Sequence, residues 1–103
     1  MSKFFIRWHV NPSKTPAMPE ECGKLYLSML EMVEAALHTG KLTDWGQLGN
    51  GLDGYAISEL NEEELFAVLV QWAPIVTCEV FPVLNAAQSM DAIEGAAAEM
   101  QLK

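Results

Sequence analysis

The chain has 103 residues, six Lys or Arg against fourteen Asp or Glu, a net charge of −8, and an apolar content of one half. Such a composition argues against disorder, and a negative field without a basic cluster argues against nucleic acid and anionic membrane surfaces as partners. The apolar runs fall short of a membrane span, and the N-terminus enters a strand-like pattern without a signal-peptide core, so a cytoplasmic location is expected. A compact monomer of this mass would expose roughly 5,800 Å² and have room for one core.

Phe4 to Val10 alternates, with Phe4, Ile6, Trp8 and Val10 on one face and Phe5, Arg7 and His9 on the other, which predicts a strand. Asn11-Pro12 and the Ser/Thr/Pro-rich stretch to Pro19 end it. A helix is expected from Pro19 or Glu20 to His38. Cys22, Tyr26, Met29, Leu30, Val33 and Leu37 recur on one stripe, and Gly40 supplies the stop. A weak second strand falls over Leu42 to Gly49. Turn signals follow at Asn50-Gly51 and Asp53-Gly54, then a third strand to Leu60. Asn61 with Glu64 forms a capping-box pattern for a second helix that buries Leu65, Phe66, Leu69, Val70 and Trp72. Ile75 to Leu84 reads as the fourth strand, with Pro82 marking an edge or exit, and Ser89 to Met100 as a terminal helix.

Strand, helix, strand, strand, helix, strand is the split βαβ order of a ferredoxin-like α+β fold. It has a four-stranded antiparallel sheet with two helices on one face. Residues 1–84 form that domain and 85–103 a C-terminal helical extension. The uncovered face carries Phe5, Arg7, His9, Tyr55, Ile57, Glu59, Thr77, Glu79 and Phe81. Rings mixed with charges suit neither plain solvent nor a dry core. A homodimer joining two such faces around a polar-lined cavity is therefore expected.

The runs FFIRWHV at Phe4–Val10, GYAISE at Gly54–Glu59, Leu65 to Trp72, and IVTCEVFP at Ile75–Pro82 resemble the DUF3303-type group of the dimeric α+β barrel superfamily. Muconolactone-isomerase-like and YCII-like proteins are more distantly similar. The resemblance covers about residues 3–84. It implies two ferredoxin-like subunits packed sheet to sheet, with ligands inside the barrel or between sheet and helices. The YCII-like likeness would require a His/Asp dyad, and no aspartate is placed beside His9 by the sequence.

The open face supplies the candidate chemistry. His9 could act as a base near neutrality, with Glu79 or Glu59 holding one ring nitrogen, toward an organic acid pinned by Arg7. The plainer reading makes His9 an interface residue and pairs Arg7 with Glu79 or Glu59 across the strands. Tyr55 could donate to a bound carbonyl, Phe81 supplies a ring on the same face, and Trp45 is the tryptophan best placed to line a pocket. His9 and His38 lack metal-ligand spacing, and no metal or cofactor is expected. Cys22 and Cys78 form no CxxC motif. Cys78 reads as a buried hydrophobe, Ser58 as helix-facing, and Glu62 to Glu64 as a solvated helix start. The expected function is binding of a small organic or aromatic acid in a sheet-lined cavity. Alternatives are a cofactor-independent isomerase or monooxygenase on a small hydrophobic acid, and a protein-interaction module.

Overall fold

A computed structural model describes residues 2–101. Its elements are β1 (Phe4–Val10), a 3₁₀ turn (Pro12–Lys14), α1 (Pro19–His38), β2 (Asp44–Gln47), β3 (Asp53–Ser58), α2 (Glu62–Val70), β4 (Val76–Pro82) and α3 (Ala86–Gln101). The four strands form one antiparallel sheet in the order β2-β3-β1-β4.

The alternation of β1 places the core. Phe4, Ile6, Trp8 and Val10 are buried, whereas Arg7 and His9 are exposed. On that buried face α1 contributes Val33 and Ala36 and α2 contributes Leu65, so both helices cover the same side. Ser58 is fully buried on this side, where its hydroxyl donates to the Lys41 carbonyl (2.7 Å) and accepts from the Leu60 N–H (3.2 Å). α2 begins on a reciprocal capping box: Glu64 N–H donates to the Asn61 side chain (2.8 Å) and Asn61 N–H to the Glu64 carboxylate (3.2 Å).

The expected barrel is absent. β2 and β4 are the two edges of an open sheet and do not meet, and four strands with a β2 of only four residues are too few to close on themselves. The fold is α+β, with a four-stranded antiparallel sheet and three helices.

Smaller departures have local causes. Phe66 is 70% exposed, because one residue after the inward Leu65 the helix has turned by about 100°. In α1 the stripe is centred on Val33 and Ala36, leaving Leu37 exposed. Val80 stands partly exposed on the edge strand β4. β2 is shorter than Leu42 to Gly49 because Leu48 and Gly49 enter the turn before Asp53, in which Gly51 has a φ of +76°. α3 extends from Ala86 rather than Ser89, starting on reciprocal bonds between Asn85 and Gln88.

Candidate functional site

A half-open cavity of about 170 Å³ lies between the sheet and its two covering helices. Its sheet side is formed by Ile6, Trp8 and Val10 of β1 together with Ala56, Val76 and Cys78. α1 supplies Tyr26, Met29 and Val33, and the α2 side supplies Val68, Leu69 and Trp72. Trp45 of β2 stacks on Trp8 with centroids 5.4 Å apart and planes 9° apart, so the aromatic wall is continuous. That stack depends on Gly54, directly opposite Trp8 in the β1–β3 register. A Cβ there would overlap the Trp8 ring and the Gly46 carbonyl.

The lining is apolar with few polar atoms. The Trp8 indole N–H is already donated to the Tyr55 carbonyl (3.2 Å). The polar groups of Tyr26, Gln47 and Cys78 and the indole N–H groups of Trp45 and Trp72 remain, and no Asp, Glu, His, Lys or Arg lines the space. The Cys22 thiol hydrogen-bonded to Tyr26, with burial adding to it, holds the Tyr26 phenol above its ordinary pKa, so it stays a neutral O–H. Burial pushes the Cys78 thiol up to about 11, which keeps it protonated and poorly nucleophilic.

The opposite face holds most of the residues singled out in the sequence. Arg7 is exposed in the middle of β1, with Tyr55 opposite it on β3 and Glu79 opposite it on β4. The registry brings Arg7 and Glu79 side by side, yet the only ion pair among the described residues is His9 with Asp53. His9 Nδ1 and Asp53 Oδ1 are 2.6 Å apart. Asn50 donates to the other Asp53 oxygen at 2.7 Å, and its bond, with His9 second, holds the Asp53 carboxyl below the usual range. Tyr55 donates to Asp44 (3.1 Å), which raises the phenol's pKa, and its ring stacks on Phe5 at 6.4 Å. Phe81 sits 6.4 Å from Phe5 on the other side.

The candidate set is thus divided by the sheet. Arg7, His9, Glu79, Tyr55 and Phe81 share the open face. Glu59 follows the last residue of β3, beyond Ser58, which pairs with Phe4 at the end of β1 away from His9. Trp45 is the member of the set that lines the cavity. Asp53 was missed as the partner of His9 because Asp53-Gly54 carries a turn signature; the pairing follows only once β1 and β3 are set in register. Tyr26, Trp72 and Cys78 were read as core filling, and no local motif distinguishes a core ring from a cavity wall. Among the described residues no His/Cys/Asp/Glu cluster has the arrangement to hold a metal ion, and no helix is long and apolar enough to cross a membrane.

Residues 2–97 match the family described as "Domain of unknown function (DUF3303)". No curated protein matches the chain. The likeness to muconolactone-isomerase-like and YCII-like proteins is carried by neither comparison. With nearly its whole length matched, the chain belongs to the DUF3303 family.

Proposed function

We propose that this DUF3303 domain binds a small, neutral, ring-shaped organic molecule between its sheet and its helices. The observation that carries the reading is the cavity of about 170 Å³ walled by Trp8, Trp45 and Trp72. An apolar cavity of roughly 150 Å³ accepts benzene, so this one matches a single aromatic ring. Charge narrows the class further. A carboxylate entering the cavity would lose its hydration with no cation among the lining residues to replace it. The Tyr26 hydroxyl and the Gln47 amide favour a ligand carrying one hydrogen-bonding group, such as a phenol or an aryl ketone.

¹⁹F NMR titration separates this site from the open face. Fluorobenzene should bind the wild-type protein, and Val68→Phe, which adds a ring to the wall, should weaken binding at least tenfold. Arg7→Leu should leave it unchanged. Equal affinity in Val68→Phe would place the ligand elsewhere.

A second reading is favoured by the His9–Asp53 bond. It engages Nδ1 and leaves Nε2 without a protein partner among the described residues. In this reading an organic acid lies on the open face against Arg7, with His9 exchanging a proton in a cofactor-independent isomerisation. 4-Fluorobenzoate should then bind and lose affinity in Arg7→Leu, while remaining indifferent to Val68→Phe. The homodimer belongs with this second reading: Phe5, Tyr55 and Phe81 would be covered by the open face of a second copy.

A further inference from the structure

The turn between β2 and β3 runs from Leu48 to Leu52. Gln47 and Gly51 line the pocket, and Gln47 is also exposed, which puts it at the mouth. A Cβ on Gly51 would lie 3.8 Å from Gln47 Nε2, so the two residues form one stretch of rim. The base of the turn is tied by backbone bonds, from Leu48 N–H to the Asp53 carbonyl (2.8 Å) and from Val10 N–H to the Leu52 carbonyl (2.7 Å). Leu52 packs against the cluster of Trp8, Val10 and Val76.

The tip depends on a side chain. Its one backbone bond runs from Gly51 N–H to the Leu48 carbonyl (3.0 Å), and Gly51 takes the positive φ. Asn50 Oδ1 accepts from the N–H groups of Leu52 (2.9 Å) and Asp53 (3.1 Å), which closes the turn through its own side chain. The Asn50 amide donates to Asp53 Oδ2 (2.7 Å), and Asp53 Oδ1 is bound to His9 Nδ1 on the open face (2.6 Å). One chain of hydrogen bonds therefore leads from the open face, through Asp53 and Asn50, to the rim of the pocket on the helix side.

We infer that His9, Asp53 and Asn50 form a latch that fixes the β2–β3 turn as the rim of the pocket, so that filling the pocket depends on groups anchored on the other face of the sheet. The inference rests on the reading that the pocket takes a neutral ring. All three are positioning residues, since none of them lines the pocket. With the latch open, the tip samples other conformations. Only the latched fraction presents the rim, and apparent affinity falls in proportion to that fraction. One hydrogen bond changes such a population about fivefold.

¹⁹F NMR titration of the full chain with fluorobenzene tests the latch. Asn50→Ala should weaken binding about fivefold or more, and Asn50→Asp, which sets carboxylate against carboxylate, should do the same. Adding Asp53→Asn to Asn50→Asp exchanges the two groups and restores a bond between them. Affinity should then return to within about twofold of the wild type. His9→Phe, which keeps a ring on the open face but has no bond to Asp53, should weaken binding about threefold. A merely structural role would lower the urea midpoint of Asn50→Ala and leave its fluorobenzene affinity in buffer unchanged; that result overturns the latch. A double variant that binds no tighter than Asn50→Asp overturns it too. Wild-type affinity in His9→Phe overturns the link across the sheet. Wild-type protein that fails to bind fluorobenzene overturns the ring-binding reading itself, whereas equal affinity in the wild type and every variant overturns the latch alone.

Discussion

Asp53 is held by two donors at once, the Asn50 amide and the His9 ring, and its carboxyl titrates below the ordinary range for that reason. A carboxyl with a lowered pKa in the folded state adds stability that is complete above the unfolded value, near 3.9, and disappears as pH falls through the folded value. Asp53→Asn should therefore unfold at lower urea than the wild type at pH 7, with the gap narrowing as the pH falls below the ordinary aspartate range. A constant gap across that range would show that the carboxylate's charge is not involved. Cys78 shows the opposite effect of surroundings: burial alone raises its thiol to about 11. Iodoacetamide at pH 8 should leave Cys78 unmodified in the native protein and alkylate it once urea unfolds the chain. Rapid native labelling, followed by peptide mass spectrometry, would mean that the cavity side of β4 opens readily. The burial of Cys78 was legible in its apolar run, where it reads as a small buried hydrophobe. The role of Asp53 was not, because it looks like a turn former beside Gly54 until its pairing with His9 is known.

Elements were legible where their signals are local. The alternation of Phe4–Val10 and the Asn61/Glu64 cap each depend on a few neighbouring residues, and both appear in the structure as the spacing predicts. β2 was only coarsely legible, because a four-residue edge strand with one ring has little periodicity to display. Contacts between elements were not legible. The approach of Trp8 to Gly54 is set by the β1–β3 register, and it leaves no space for a side chain. Gly54→Ala should cost about 1–3 kcal/mol, the range for overpacking a close-fitted site. It should also disturb the near-ultraviolet circular dichroism of the Trp8–Trp45 stack. Urea denaturation unchanged by the substitution would indicate that the two strands separate more easily than their contacts suggest. Ile6→Ala should cost about 2–5 kcal/mol, since Ile6 is 1% exposed beneath both helices.

At the scale of the molecule, the sheet separates two environments of different chemistry. One side is an uncharged, half-open pocket with three tryptophans in its wall; the other carries Arg7, a histidine held by an aspartate, and a short row of rings. Residue pattern identified the open face as unusual because charges beside rings stand out in a strand. It passed over the pocket because tryptophans facing helices look like ordinary core. Only the packing of the helices over the sheet brings these rings round one pocket, and that packing is written in no single segment. The pocket is the centre of the account, and a crystal soaked with iodobenzene tests it most directly. Anomalous iodine signal should appear between Trp8, Trp45 and Trp72, on the helix side of the sheet. Signal confined to the rings of Phe5, Tyr55 and Phe81, or an unoccupied pocket at saturating iodobenzene, would contradict it.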